Sequence, residues 1–96
     1  MRLLMIVYED GIDGDITGLL EEQGAAGYTK VYQVEGRGDT SGPKLGTPIW
    51  PGFNNLLFVA VEEEVVEPLT QALRELQASY RKRPGLKIFA WPMEVF

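Results

Sequence analysis

The chain has 96 residues, 45% of them hydrophobic and 24% charged, which are ordinary values for one globular domain. Its formal net charge of −5 argues against general nucleic-acid affinity, which needs a basic face. With no cysteine and no histidine it lacks a disulfide framework, a thiolate metal site, a thiol nucleophile and an imidazole base, so zinc and ordinary hydrolytic chemistry are disfavoured.

The opening MRLLMIVY is too short an apolar run to span a bilayer. It meets Glu9 and Asp10 without a small-residue cleavage site, so it is not read as a signal peptide and a cytoplasmic protein is expected. Leu3 to Tyr8 has the continuous apolar character of a central strand, closed by the acidic turn EDGIDGD. Asp13 or Asp15 is placed to N-cap a short helix carrying Ile16, Leu19 and Leu20. Gly24 and Gly27 then offer positive φ for the exit. Tyr28 to Val34 alternates through Tyr28, Lys30, Tyr32 and Val34 and reads as a partly buried strand.

Gly36 to Asn55 (GRGDTSGPKLGTPIWPGFNN) holds five glycines and three prolines and has no periodicity. Loops beyond about 12–15 residues are usually functional or disordered, so this stretch is expected to be a structureless working loop on a scaffold. Leu56 to Val61 (LLFVAV) is the most strand-like run. Glu62 to Glu64 then open a helix whose apolar stripe runs through Val65 or Val66, Leu69, Ala72 or Leu73, Leu76 and Tyr80. Pro68 is expected in the first turn of that helix, where a missing N–H is harmless. Arg74, Arg81, Lys82 and Arg83 gather toward its C-terminal end, complementing the dipole, and Pro84-Gly85 stops it. Leu86 to Phe96 reads as a last strand with Phe89, Trp91, Met93 and Val95 on one face, and Pro92 makes it an edge or bulged strand.

The order β-α-β-β-α-β implies an α+β, ferredoxin-like sandwich: a four-stranded antiparallel sheet with both helices on one face. The other face has no cover within the chain, so homo-oligomerisation is expected.

Few residues carry a chemical signal. Gly36-Arg37-Gly38 and Gly42 form GxGxxxG, which lacks the third glycine and following helix of a dinucleotide loop. It is either a flexible turn or an anion site made by loop amides and Lys44. Arg37-Gly38-Asp39 spells an adhesion tripeptide by chance. Arg81, Lys82 and Arg83 beside Lys87 are either a solvated helix end or a phosphate clamp. The carboxylates read as caps and solvated faces, and EDGIDGD does not match an EF-hand loop, so no metal ligands are assigned. Trp50 and Phe53 either contact a partner or fold back on the sheet.

With its element order, V-E-G-R-G closing the second strand, the long loop before LLFVAV and L-K-I-F opening the last strand, the chain resembles the P-II signalling superfamily over nearly its whole length. The resemblance implies a single P-II-like domain over residues 1–96 and a non-catalytic regulator. It implies a homotrimer that binds adenine nucleotides between subunits and signals through a protruding loop to a target protein, such as an enzyme, a transporter or a membrane protein. The chain itself is expected neither to enter a membrane nor to bind nucleic acid. Gly36 to Asn55 then matches the signalling loop, and Arg81 to Lys87 the phosphate-gripping loop. The implied ligand residues are Gly36, Arg37, Gly38, Lys44, Arg81, Arg83 and Lys87, with an adenyl nucleotide as effector. Trp50 and Phe53 are the implied partner-docking residues. The chain departs from the family pattern in two places. Asp39 and Thr40 stand where the family keeps a ligand-sensing Arg and Gln. R-K-R-P-G-L-K-I-F replaces T-G-x-I-G-D-G-K-I-F, so Lys87, Ile88 and Phe89 carry over directly, with Gly85 nearby. The loop has no Tyr for a modification switch.

The competing readings are an ACT-like or CutA-like module binding a small ligand or metal ion, or a small enzyme on the same fold. ACT-like modules are normally fused to an enzyme. Soft-metal binding lacks His and Cys here, and EDGIDGD would repel the phosphate of an acylphosphatase-type reaction.

Overall fold

The computed structural model describes residues 1–25, 27–38, 42–47 and 52–96. The elements run β1 (Arg2–Glu9), a 3-10 turn (Asp10–Ile12), α1 (Asp13–Glu22), β2 (Tyr28–Val34), β3 (Gly36–Gly38), β4 (Gly42–Lys44), β5 (Asn54–Val61), α2 (Glu63–Ser79) and β6 (Leu86–Pro92). The main sheet has the order β2-β5-β1-β6 with every neighbouring pair antiparallel. This is the ferredoxin-like α+β arrangement expected from the element order.

Alternation along the central strands decides which face carries the core. Leu4, Ile6 and Tyr8 of β1 and Leu57, Val59 and Val61 of β5 are buried with Ile16 and Leu20 of α1 and Leu69 and Leu73 of α2. Each such aliphatic side chain contributes about 1.5–3 kcal/mol when fully buried. Leu3, Met5 and Val7 point the other way. The register sets Met5 between Phe58 and Phe89, and Leu3 between Ala60 and Trp91. Phe89 and Trp91 are 44% and 41% exposed, so this second face is apolar and open within the chain.

The helices differ from expectation at their ends. Neither Asp13 nor Asp15 caps α1; Ile12 occupies the cap position without a side-chain bond, and both aspartates lie in the first turn. Their carboxylates instead accept bonds from other elements. Gly24 does take positive φ after the helix. Pro68 is the sixth residue of α2, not a first-turn residue, so its missing N–H falls inside the helix. The basic residues do not complement the end of α2. That helix stops at Ser79, Tyr80 is already extended, and Arg81 to Arg83 lie beyond it, before Pro84-Gly85. Gln77 explains how this turn is held: its buried amide donates to the Pro84 carbonyl at 2.8 Å, and its Oε1 accepts from Arg83 at 3.2 Å. β6 ends at Pro92 rather than continuing to Phe96, and it is an edge strand, as a proline there requires. The loop is not structureless either. Gly36, Arg37 and Gly38 pair with Lys44, Pro43 and Gly42 in a short hairpin. No helix among the described residues is long and apolar enough to cross a membrane.

Asp13 is the polar centre of the inner layer. Its Oδ1 accepts from Tyr8 Oη at 2.6 Å and Asn55 Nδ2 at 3.3 Å, and pairs with Lys30 Nζ at 2.7 Å. Burial opposes ionisation of Asp13, but the bonds from Lys30 and Tyr8 outweigh it and hold the carboxyl below its usual range. Burial likewise works against the Lys30 ammonium, and Asp13 and Tyr32 more than compensate. The Tyr8 phenol is pushed well above its ordinary value, first by burial and then by Asp13. Tyr80 donates to Asp15, joining the end of α2 to α1, and burial with that carboxylate pushes its hydroxyl up to about 12.

Two consequences are measurable. Asp13→Ala leaves the Lys30 side chain, 7% exposed, without its counter-charge, and denaturant unfolding should register a loss of roughly 1–3 kcal/mol. Because the folded-state value of Asp13 lies below the ordinary 3.8, its contribution is complete above that pH and is lost as pH falls through the lowered value. The difference in stability between wild type and Asp13→Asn should therefore shrink on acidification below pH 3.8.

Candidate functional site

The implied ligand residues lie at one end of the sheet, where β1 finishes, β5 and β6 begin, and the long loop leaves and returns. The exit from β2 is built by a bulge. Its pairing with β5 shifts register between Val31 and Val34, and Gln33 takes φ 55°, which a non-glycine residue rarely adopts. The Asn55 side chain stabilises that conformation, its Oδ1 accepting the Gln33 N–H at 2.9 Å.

The hairpin β3–β4 follows at once. Gly36 leaves room for the Asn54 side chain: a Cβ at that position would fall 2.5 Å from Asn54 Nδ2, which would have to turn aside. Arg37 and Gly38 are exposed on the hairpin. The return is closed by a second contact. Gly46 N–H donates to the Gly52 carbonyl at 2.9 Å, the Phe53 carbonyl accepts from Asp10 N–H at 3.0 Å, and Gly46 sits at φ 67° against the Phe53 ring. Phe53 is half-buried in this way; Trp50 lies outside the described residues, as do Asp39 and Thr40.

The second half of the site is the turn before β6. Pro84 is buried, Gly85 half-buried, and Arg81, Lys82 and Arg83 exposed. Lys87 is exposed in β6 opposite Val7, on the open face of the sheet.

Glu9 joins the two halves. Its N–H donates to the Gly85 carbonyl at 3.2 Å. Its Oε1 accepts the Gly85 N–H at 3.2 Å and faces Lys44 Nζ at 3.4 Å. Of the implied residues, Lys44 and the turn ending at Gly85 are thus brought together, and Arg83 is anchored through Gln77. Arg37, Arg81 and Lys87 share this end of the molecule through the chain segments that carry them.

Sequence reasoning passed over Glu9, Gln77 and Asn55. Gln77 had a readable signal, a polar residue four places after Leu73 on the apolar stripe. Glu9 and Asn55 each border an apolar strand, which distinguishes them little from ordinary strand ends.

The arrangement suits an oxyanion: a backbone N–H, the Lys44 ammonium and the basic run Arg81 to Arg83 stand at the mouth of a loop. The profile of the family described as nitrogen regulatory protein P-II matches residues 1–95. The chain superposes with a TM-score of 0.76 at 25% identity on CPII, a nitrogen regulatory PII-like protein from Thiomonas intermedia K12, bound to ADP, AMP and bicarbonate, covering 94% of this chain and 82% of that one. The same protein bound to ADP and bicarbonate gives a TM-score of 0.76 at 26% identity with the same coverage. A PII-like signaling protein from Thermus thermophilus gives a TM-score of 0.66 at 27% identity, over 94% of this chain and 83% of that one. No curated protein sequence matches the chain.

Gly46→Ala would force a Cβ into the Phe53 ring at a backbone angle that favours glycine. It should destabilise the loop base by roughly 1–3 kcal/mol, seen as faster amide exchange around the Gly46–Gly52 contact with the sheet amides unchanged.

Proposed function

Because the chain belongs to the nitrogen regulatory protein P-II family, we propose that it is a homotrimeric regulator that binds an adenyl nucleotide between subunits and signals through its 36–55 loop to a partner protein. The observation that carries this reading is the meeting of the loop base and the basic turn at Glu9. A ligand gripped by Gly85 N–H, Lys87 and Arg81 or Arg83 lies next to Lys44, and so next to the hairpin that leads the loop. The ADP, AMP and bicarbonate bound to CPII support an anionic effector of this class. The open apolar face with Phe89 and Trp91 supports the oligomer, since apolar area of that kind is ordinarily covered. Arg37, Gly38 and Gly36 serve the loop side of the site, and Trp50 is assigned to partner docking, whereas Phe53 closes the loop base against Gly46. The protein does no chemistry on the nucleotide; its output is a change in what the loop can dock.

A calorimetric panel of ATP, ADP, AMP, cyclic dinucleotides and bicarbonate tests the reading. An adenyl nucleotide should bind, and Arg81→Ala, Arg83→Ala and Lys87→Ala should each weaken it roughly tenfold or more. No response from any nucleotide would remove the effector. Sedimentation should give a trimer at micromolar concentration, and Phe89→Glu, which places a charge on the open face, should yield monomer; a wild-type monomer would remove the intersubunit site.

A further inference from the structure

The donors that would grip an anion at the loop base are already occupied by a carboxylate of the chain itself. Gly85 N–H and Lys44 Nζ both address one atom, Glu9 Oε1, at 3.2 and 3.4 Å. This placement is built into the main chain: Tyr8 pairs with Leu86, and the Glu9 N–H continues that ladder to the Gly85 carbonyl. The side chain therefore starts from a fixed point directly opposite the turn. Two donors of different origin, a turn amide and a hairpin lysine, converge on it as they would on a phosphate oxygen.

We propose that Glu9 is an intramolecular occupant of the anion seat. A phosphate-bearing ligand binds by displacing its carboxylate, and the displacement unlatches the β3–β4 hairpin from the turn before β6. This inference rests on the nucleotide reading above and specifies how the site is regulated. A carboxylate left in place would repel the incoming phosphate, so the two are exclusive at Gly85 and Lys44. The contact is suited to exchange. Both distances are at the long end for charged partners, and the Glu9 and Lys44 side chains are 30% and 20% exposed, so water can replace either partner. Release is confined to the hairpin. The Gln33–Asn55 bond before it, and the Gly46–Gly52 and Phe53–Asp10 bonds after it, do not involve Glu9. The latch thus converts occupancy of the seat into freedom of the segment between two fixed points, and it sets a threshold that the ligand must exceed.

Glu9→Gln keeps the size of the side chain and an acceptor oxygen but removes the charge. Glu64→Gln, on α2 at the opposite end of the sheet, controls for net charge. ADP and inorganic pyrophosphate are titrated calorimetrically, and amide exchange is followed across the hairpin. Glu9→Gln should bind both ligands about two- to fivefold tighter than wild type, the range expected from removing a partly exposed competing charge. Its ligand-free hairpin should exchange faster, and saturating ADP should raise wild-type hairpin exchange to the same level. Glu64→Gln should match wild type throughout. Binding by Glu9→Gln alone also supports the seat. Equal or weaker binding by Glu9→Gln, with wild type binding ADP, overturns the latch and leaves the nucleotide reading intact. Slower hairpin exchange in wild type on adding ADP overturns the unlatching without recourse to any variant. If neither protein binds either ligand, both readings fall.

Discussion

One carboxylate holds the inner layer in register. Asp13 begins α1, and its Oδ1 collects Tyr8 from β1, Lys30 from β2 and Asn55 from β5. β2 depends on it most. It is an edge strand with five of its seven residues exposed, and its anchoring by burial alone is weak. Lys30 supplies what hydrophobic contact does not. Its Nζ lies over the rings of Tyr28 and Tyr32, 5.3 and 4.9 Å from their centroids, and its charge is neutralised by Asp13. A lysine desolvated to this degree is costly unless every partner is in place, so the cluster selects one register for β2 against its neighbours. Asn55 extends the same network outward. One end of its amide donates to Asp13, and the other accepts the Gln33 N–H in the bulge from which the loop departs. The exit of the loop is thus held by the cluster that holds the sheet.

Hydrophobic period made most of this fold legible. The stripe of α2 and the apolar runs of β1 and β5 each had one reading, because burial of aliphatic side chains determines their placement. Helix ends were less legible because polar residues compete for several roles. Asp13 has the chemistry of a cap and the sequence position of one, yet a buried lysine and a tyrosine offer its carboxylate more than free backbone N–H groups do. Arg81 to Arg83 look like the end of a helix in sequence, but Gln77 bonds Pro84 and Arg83 and turns the chain after Ser79. The β3–β4 hairpin left no periodic trace, since a three-residue ladder of GRG against GPK has no apolar alternation to read. The resemblance did not point to Glu9, whose partners are 35 and 76 residues away in the chain.

An acidic chain can still present an anion site if its charges are segregated. The nine basic residues are used very unevenly. Arg2 is matched to Glu63 at 2.9 Å, Lys30 is committed to Asp13, and Arg74 stands on the exposed side of α2. The remaining six, Arg37, Lys44, Arg81, Lys82, Arg83 and Lys87, all belong to the hairpin, the turn after α2 or the first residues of β6. Exposed charges are screened over about 8 Å at physiological ionic strength, so the surplus carboxylates on the helices do little to cancel this end. Among the described residues, Glu9 is a carboxylate that faces a donor from each side of the site. The balance at the loop base is therefore local. Glu9, whose backbone continues the β1–β6 ladder, stands within contact range of both Lys44 and the turn at Gly85.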